Sequence, residues 1–530
     1  MKGKNIIIII LILLIAFIFM GYKQGWFKTS SDKTQVLNLA IKSNPRTINP
    51  VMASDGTSMA LCNLIFNPLV KFNENMEITG SLAEGWEISK DKKTWTFFLR
   101  KDVRWHDGTP FTARDVKFTF DKLYDENTNT FNRGMFIINN KPVDVKVIDD
   151  YKVQFTLPEV FAPFETYLTM LGIVPEHLLK DADINKCEFN NTPVGTGPYK
   201  LQAWHQGDKI ILEANKDYFD GSPKIQQIVY KIMPSREAGK IALQRQEIDI
   251  YSPLDEQDLK TLNEYSFLKK YEAPEFDYYY LAFDLTNPVF KDIDVRRAIN
   301  HAIDKEKLLN NVAPGMGDII NGPMPKASWA YTDNVIIYNY DPKKAEELLE
   351  KSGYKKGSDG IYEKDGKKLE FEIMYLQTNP RFHKIGVLIQ SFLNTVGIKA
   401  SLRSYETNVM YDKSYPGKFE AVIWDWFETP DPDCYTEWHS SQSGDDGMNY
   451  LSYSNPKVDK LLEQARTTYD RGERKKLYIE FQQIVSEDAA YVFLWSPRSV
   501  SGVNTRLKGY GKENPMGIFI YPEKLYLEKK

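Results

Sequence analysis

The residues best suited to chemistry in this sequence form one acidic and aromatic segment at positions 424–433. Carboxylates attract a cationic group, and indole rings stack on flat or apolar ligand surfaces. The segment therefore predicts a ligand-binding site, with a rigid Pro-rich corner as the plainer alternative. The candidate ligand-binding residues that it supplies are Trp424, Asp425, Trp426, Glu428 and Asp431.

Catalytic interpretations of this sequence lack the motifs that they need. Two carboxylates of the segment would form a glycosidase pair only if they lay about 5 to 10 Å apart, which sequence spacing does not test. Ser266 and Lys269 have S-x-x-K spacing, but neither a K-T-G nor a G-x-S-x-G motif accompanies them. The sequence contains no P-loop and no H-E-x-x-H metal motif. We therefore predict that the chain is not an enzyme and has no catalytic residue, cofactor or bound metal.

Charge and composition argue against a nucleic-acid-binding protein. The 530 residues include 68 Lys and Arg and 72 Asp and Glu, which gives a formal net charge of −4. Binding to phosphates requires a clustered basic surface, and no long run of one charge sign occurs. Cys62, Cys187 and Cys434 stand too far apart for a CxxC motif, and a disulfide between Cys62 and Cys187 is left open.

The N-terminus predicts export from the cytoplasm. Lys2 and Lys4 precede an unbroken apolar run at residues 6–20. A basic start followed by a short apolar segment is typical of a Sec-type signal. The run is shorter than the ~20 residues that usually span a membrane, but an uncleaved anchor stays an alternative to release. We assign residues 1–24 to a signal peptide or membrane anchor and residues 25–34 to a linker.

An α/β fold must position the acidic segment. Alternating apolar residues predict strands at 36–41 and 95–99. At 369–402 the pattern changes from strand to helix to strand, which is the βαβ unit of an α/β lobe. A further strand at 419–424 ends at the acidic segment, and ligand clefts in α/β proteins open at such strand ends.

Capping residues predict where helices begin. Thr112 and Asp115 have the spacing of a capping box. Asp294 is expected to cap one later helix, and Asp341 another that starts with Pro342.

Four ordered landmarks resemble one protein family. The first reads WTFFLRKDVRWHDGTPFTARDV at 95–116, and the second reads VGTGPY at 194–199. The third joins YLAF at 280–283 to VRRAI at 295–299, and the fourth joins DPD at 431–433 to DKL at 459–461. Over residues 36–525 the sequence resembles the extracellular solute-binding proteins of family 5, which include the dipeptide- and oligopeptide-binding proteins of ABC importers.

The resemblance implies an α/β fold: a periplasmic-binding-protein-like, two-lobed clamshell of class II with an accessory domain, in which lobe closure buries the ligand. It assigns lobe I to three separate parts of the chain, and the accessory domain and lobe II to one part each. The expected boundaries are 35–72, 191–281 and 499–530 for lobe I, 73–190 for the accessory domain and 282–498 for lobe II.

The resemblance also implies roles in the site. In peptide-binding relatives the segment carries an aspartate that pairs with the ligand's α-ammonium, beside a stacking Trp. Its place falls on residues 427–429 here, so that Glu428 or Asp425 would supply the charge. Ser54 and Asp55 match a stretch that hydrogen-bonds the ligand, and Tyr280 lies at a crossing between the lobes.

We therefore predict an extracytoplasmic, monomeric binding protein that takes up oligopeptides or dipeptides and delivers them to an ABC permease. The N-terminal segment would be its contact with the membrane, and nucleic acid would not be a partner. The alternatives are an oligosaccharide-binding protein of the same family, a secreted hydrolase and an anchored solute sensor. Some relatives carry nickel complexes, which makes His205 and His439 conceivable metal ligands.

Overall fold

The computed structural model describes residues 35–262, 264–414, 418–444, 447–511 and 513–528. The predictions for the signal or anchor and for the linker lie outside these residues. Within them, none of the helices combines the length and the apolar character needed to cross a bilayer.

The strands alternate with helices along most of the chain, which confirms the α/β class. In chain order the strands are β1 (Val36–Ile41), β2 (Val70–Phe72), β3 (Ile78–Gly80), β4 (Ala83–Ile88), β5 (Thr94–Leu99), β6 (Ile137–Ile138), β7 (Lys141–Pro142), β8 (Asp144–Asp149), β9 (Lys152–Thr156), β10 (Tyr199–His205), β11 (Lys209–Ala214), β12 (Gln227–Ile232), β13 (Ile250–Tyr251), β14 (Leu268–Pro274), β15 (Asp277–Phe283), β16 (Gly317–Ile319), β17 (Lys355–Lys356), β18 (Tyr362–Lys364), β19 (Lys367–Lys368), β20 (Glu370–Leu376), β21 (Lys399–Tyr405), β22 (Ala421–Phe427), β23 (Tyr491–Asn504), β24 (Leu507–Lys508) and β25 (Tyr526–Leu527).

The helices range from single turns to long amphipathic elements. They are α1 (Gly56–Ile65), α2 (Ala113–Tyr124), α3 (Phe164–Met170), α4 (Glu176–Leu179), α5 (Arg236–Gln244), α6 (Glu256–Leu262), α7 (Pro288–Lys291), α8 (Ile293–Ala302), α9 (Lys305–Val312), α10 (Pro342–Lys351), α11 (Pro380–Thr395), α12 (Thr407–Ser414), α13 (Tyr435–Trp438), α14 (Pro456–Thr467) and α15 (Arg471–Glu487), with short 3-10 turns at Asn132–Phe136, Glu188–Asn190, Ser440–Gln442, Ile518–Ile520 and Pro522–Lys524.

One large sheet organises the molecule in two halves. Its strand order is β10-β11-β12-β1-β13-β23-β15-β22-β20-β21, and β14 and β16 also pair with β23. The 14-residue strand β23 serves both halves, because Arg498 pairs with Pro274 of β14 while Trp495 pairs with Tyr279 of β15. We call the part around β1, with β10 to β14 and residues 498–504, the β1 half, and the part around β20, with β15, β16, β21, β22 and residues 491–497, the β20 half.

The βαβ unit predicted from the sequence is present in the β20 half. Strands β20 and β21 run parallel in register from Glu370↔Lys399 to Leu376↔Tyr405, and α11 connects them. The predicted stripe of α11 is buried at Ile385, Ile389 and Phe392. Strand β22 then lies parallel to β20, so its carboxyl end opens beside the start of α11.

A separate four-stranded sheet, β4-β5-β9-β8, precedes most of the large sheet in the chain. Its core contains the alternating residues of β5, Trp95, Phe97 and Leu99, as their spacing predicts. Helix α2 covers this sheet and begins with the predicted capping box of Thr112 and Asp115.

One of the predicted helix starts is wrong. Asp292, not Asp294, caps α8, because its carboxylate accepts the hydrogen bond from the backbone N–H of Asp294 at 3.0 Å. The short helix α7 ends immediately before Asp292, which shifts the start of α8 by two residues. Asp341 caps α10 as predicted, with Pro342 in the first turn.

The three cysteines are free thiols, which answers the question that the sequence leaves open. Cys62 and Cys434 are buried, and Cys187 is half-buried. Since no disulfide links Cys62 to Cys187, packing and hydrogen bonds such as that from the Gly197 N–H to the Ile65 carbonyl, at 2.8 Å, hold α1 against its neighbours.

Candidate functional site

The candidate site begins where β22 pairs with β15 within the β20 half. The end of this pairing, Phe427 opposite Asp277, lies beside the turn between β14 and β15 that leads to the β1 half. The antiparallel register places Trp424 opposite Tyr280 and Asp425 opposite Tyr279. Residues directly opposite each other share one face of a sheet, and the faces alternate along a strand. The indoles of β22 therefore project to one face of the sheet, and Asp425 projects to the other.

A stack of aromatic rings supports Trp426. Its ring lies 5.3 Å from that of Tyr450 and 6.1 Å from that of Tyr280, both nearly parallel to it. Tyr280 in turn stacks on Tyr491 at 4.3 Å, and the indole N–H of Trp426 donates to the Tyr491 hydroxyl at 3.3 Å. Tyr280 is fully buried behind Trp426 and hydrogen-bonds Tyr450, so the structure gives it a supporting position instead of an exposed one.

Trp424 lies at the edge of the same aromatic group. Its ring is 5.3 Å from Tyr411, and it is partly exposed, as is Trp426. Half-exposed indoles backed by a buried stack are held in one orientation and still present a free face.

Glu428 is a carboxylate that the fold buries without a complete set of partners. It is 9% exposed, and its backbone N–H donates to the carbonyl of Phe276 at 2.9 Å. Its Oε1 atom has no hydrogen-bond partner in the described part of the chain. Burial, followed by the charges of Glu437, Asp433 and Asp277, holds the pKa of Glu428 well above its ordinary value.

Glu437 is a second buried carboxylate beside Glu428, and the sequence analysis missed it. It lies in α13, is 9% exposed, and its Oε2 atom lacks a partner among the described residues. Burial raises the pKa of Glu437 to about 7. The four-residue helix α13 is too short to show a helical period, so the sequence pattern gives no sign of this position.

Asp277 and Asp425 extend the acidic region along the sheet. Asp277 pairs with Phe427, which makes it a diagonal neighbour of Asp425 on one face. Burial, and then the charges of Glu275 and Asp425, raises the pKa of Asp277 to about 7. Burial raises the pKa of Asp425 to about 6, against the opposing effect of Arg381. Asp277 was missed although it is a polar residue that opens an apolar strand, which is a signal that the sequence offers.

Arg381 is the basic group that faces this acidic region. It sits in the first turn of α11, at the carboxyl end of β20, and donates to the Tyr279 hydroxyl at 3.1 Å. Its guanidinium lies 5.8 Å from the centre of the Tyr279 ring. The start of a helix and a guanidinium both favour a negative charge, so this corner can hold a carboxylate.

Asp431 and Asp433 are neutralised within the protein. Both oxygens of Asp431 accept hydrogen bonds from Arg474 at 2.6 Å, in a pair that is almost completely buried. Asp433 pairs with Arg466 at 2.9 Å, and that guanidinium lies 3.9 Å from the centre of the Tyr435 ring. The structure thus places Asp431 as a support for the loop after β22, with its charge already balanced.

Ser54 and Asp55 precede α1 in the β1 half. Asp55 caps α1, accepting from the backbone N–H of Ser58 at 3.0 Å and from its hydroxyl at 2.6 Å. These hydrogen bonds outweigh burial and lower the pKa of Asp55. Ser54 is exposed.

Among the described residues, no group of three or more His, Cys, Asp or Glu side chains is arranged to hold a metal ion. His439 Nδ1 is hydrogen-bonded to the Ser441 hydroxyl at 2.7 Å, and its ring stacks on Tyr435. His205 ends β10 at the opposite edge of the large sheet from β20 and β21.

Comparison with known proteins gives a consistent result. The model of the bacterial extracellular solute-binding proteins, family 5, matches residues 77–447. The chain is 31% identical to the oligopeptide-binding protein AppA of Bacillus subtilis over the full length of both chains. It is 28% identical to the dipeptide-binding protein of Escherichia coli, over 91% of this chain and 93% of that one.

Solved structures agree with the sequence matches. The structure of Bacillus subtilis AppA in complex with a nonapeptide matches with a TM-score of 0.73 at 31% identity, covering 93% of this chain and 99% of that one. The binding protein DppA of Helicobacter pylori in complex with the peptide STSA matches with a TM-score of 0.73 at 29% identity, covering 93% and 98%.

Proposed function

Since the chain belongs to the bacterial extracellular solute-binding proteins of family 5, we propose that it captures peptides with a free α-ammonium group and passes them to the permease of an ABC importer. The ligand is held at the junction of the two halves of the large sheet and leaves unchanged. The N-terminal residues 1–24 carry the chain out of the cytoplasm, as a signal or as an anchor.

The observation that carries this proposal is the unpartnered carboxylate of Glu428. Ionising a buried carboxyl group without a counter-ion costs several kcal/mol, which agrees with the raised pKa of Glu428, and a cation placed against the group would favour its ionised form. An ammonium group donates up to three hydrogen bonds and neutralises one charge. A peptide N-terminus placed against Glu428 Oε1 would complete that group.

The surroundings of Glu428 fit the remainder of a peptide. Trp424 and Trp426 offer ring faces for the backbone or an apolar side chain. Glu428 contacts Phe276 at the turn between β14 and β15, where the two halves meet, so a bound peptide would also favour their closure.

Isothermal titration calorimetry with Glu428→Gln tests this proposal. The substitution keeps the shape of the side chain and removes its charge, so a tripeptide such as Ala-Ala-Ala should bind about tenfold more weakly or worse, a loss of ~1.4 kcal/mol or more. N-acetyl-Ala-Ala-Ala, which has no ammonium group, should bind the wild type poorly and be indifferent to the substitution.

The matched control is Glu87→Gln, which removes a charge from an exposed position on β4. It should leave peptide affinity unchanged. Equal binding of the free and the acetylated peptide to wild-type protein would contradict the role of Glu428. Binding of neutral oligosaccharides and of no peptide would favour the sugar alternative, and turnover of a bound peptide would contradict a binding protein.

A further inference from the structure

The segment at residues 161–166, which includes the start of α3, belongs to the core of the four-stranded sheet β4-β5-β9-β8. Phe164 in this segment is fully buried. Its ring lies 5.5 Å from that of Trp95 in β5 and 5.6 Å from that of Phe155 in β9. Edge-on and tilted ring contacts at these separations are favourable, so the 161–166 segment is held firmly on the sheet.

Arg466, in the last turn of α14, joins the 161–166 segment to the loop after β22. Its guanidinium forms an ion pair with Asp433 at 2.9 Å, and its Nε donates to both carboxylate oxygens at 3.0 Å. Its backbone carbonyl accepts the hydrogen bond from the Ala162 N–H at 2.6 Å, and its guanidinium lies 5.4 Å from the centre of the Phe161 ring. One residue therefore contacts both the acidic loop and the support of that loop.

Two further contacts strengthen the same connection. The Thr166 hydroxyl donates to the carboxylate of Asp431 at 3.3 Å. Tyr469, in the turn between α14 and α15, donates its hydroxyl hydrogen to the carbonyl of Lys92 at 3.1 Å, and its ring lies 5.3 Å from that of Trp95. The four-stranded sheet thus supports the loop after β22 and the turn that follows α14.

These contacts bear on Glu428 because Asp431 and Asp433 follow it in the same short loop. Pro430 and Pro432 alternate with the two aspartates, and each proline restricts φ to about −65°. A displacement of Asp433 is therefore transmitted along the loop toward Glu428.

We infer that Arg466 is a positioning residue for peptide binding, which holds Glu428 in place through Asp433 and takes its own support from the four-stranded sheet. This inference rests on the proposed function and adds a role for a sheet that lies outside the site. The Asp433 side chain is only 2% exposed. Removing its counter-ion would leave a buried charge unpaired, and the loop would have to shift to relieve it.

A double-mutant cycle measured by isothermal titration calorimetry tests the inference. Arg466→Gln should weaken the binding of Ala-Ala-Ala about tenfold, because the group that binds the ammonium is displaced. In the Glu428→Gln background the same substitution should cost less than about twofold, because no charge is left to position. The affinity of N-acetyl-Ala-Ala-Ala should change less than about twofold in Arg466→Gln, whereas general damage to the fold would weaken both peptides.

Tyr469→Phe is a second variant, which removes a contact with the sheet without leaving a buried charge. It should weaken Ala-Ala-Ala about threefold and leave the acetylated peptide unchanged, and it decides the question if thermal melting shows that Arg466→Gln does not fold. The matched control is Arg114→Gln, which removes an exposed guanidinium that pairs with Asp150 at 3.3 Å on the surface. This control should bind Ala-Ala-Ala like the wild type.

Three results would overturn the positioning role while leaving peptide binding intact. They are wild-type affinity in the folded variants, equal losses for the free and the acetylated peptide, and losses that add in the double variant. If Glu428→Gln itself bound Ala-Ala-Ala like the wild type, the proposed function and this inference would both be overturned.

Discussion

Glu428, Glu437 and Asp277 are carboxyl groups of which one oxygen each is buried and lacks a hydrogen-bond partner among the described residues. Their pKa values rise mainly because burial removes the hydration of the ionised forms, and nearby acidic residues add to the effect. Strongly shifted groups in one place are typical of functional sites, where a ligand supplies the missing charge. The apo protein therefore gives up stability at this site, and a cationic ligand would restore it.

The stability of the apo protein should depend on pH through Glu437. Its pKa is about 7 when folded, above the ordinary value of 4.5, so the folded state keeps a proton that the unfolded state releases. The resulting stabilisation is complete below the ordinary pKa and is lost as the pH rises through about 7, at a cost on the order of 3 kcal/mol.

Urea denaturation of Glu437→Gln at about pH 5 and pH 8 checks this expectation. The variant should lose less stability than the wild type over that interval, because it has no carboxyl group to ionise, whereas Glu87→Gln should follow the wild type. A variant with the same loss of stability as the wild type would show that Glu437 ionises without cost.

How far single residues could be foreseen depends on their neighbours in sequence. Glu428 stands in a visibly acidic and aromatic segment, so its place in the candidate site is predictable. Glu437 and Asp277 affect the ionisation of Glu428 only through their placement in the folded chain, which local patterns do not reveal. Tyr280 and Asp431 have side chains that could bind a ligand. Inside the fold, however, Tyr280 hydrogen-bonds Tyr450, and Asp431 accepts hydrogen bonds from Arg474.

At the scale of elements, the loop after β22 is the piece that positions the acidic region. Asp431, in this loop, accepts two short hydrogen bonds from Arg474 of α15 and forms an ion pair with it. The Thr166 hydroxyl of α3 donates to the same carboxylate at 3.3 Å. A cavity of about 260 Å³ lies beside this ion pair, and its lining includes Trp329, Arg471 and Arg474. The carboxylate of Asp431 thus connects the loop after β22 to α3 and α15, which are distant from it in sequence.

Asp431→Asn should destabilise the protein strongly, because it leaves Arg474 buried without its counter-ion. Breaking one partner of such a pair costs about 3 to 5 kcal/mol. The control is Asp333→Asn, since Asp333 is 77% exposed and pairs with Lys326 at the surface, where the loss should stay below about 1 kcal/mol. Equal losses of unfolding free energy in the two variants would contradict a stabilising role of the Asp431–Arg474 ion pair.

Elements with local signals were predictable, whereas the strand that unites the sheet was not. The β20-α11-β21 unit is predictable from the spacing of its apolar residues and from Gly397, which follows the end of the helix with a φ of 74°. Strand β23 pairs with β13 and β14 at one end and with β15 and β16 at the other, and nothing local marks the change of partner near Pro497. Such pairing depends on contacts hundreds of residues apart.

At the scale of the whole molecule, two halves of one sheet meet at β23 and at the turn between β14 and β15. The Ser496 hydroxyl donates to the carbonyl of Asp277 at 3.0 Å, so the two connections are tied together directly behind the acidic region. A ligand held there contacts the part of the fold about which the halves would close. The four ordered landmarks made the family predictable from the sequence, although the first, at residues 95–116, lies outside the large sheet, in β5 and α2.

The most direct test of the account is a crystal structure of the protein with Ala-Ala-Ala. We expect the peptide between the two halves, with its α-ammonium nitrogen about 3 Å from a Glu428 oxygen. A peptide bound elsewhere, or one whose ammonium faces water while Glu428 stays buried against protein atoms, would contradict the central claim.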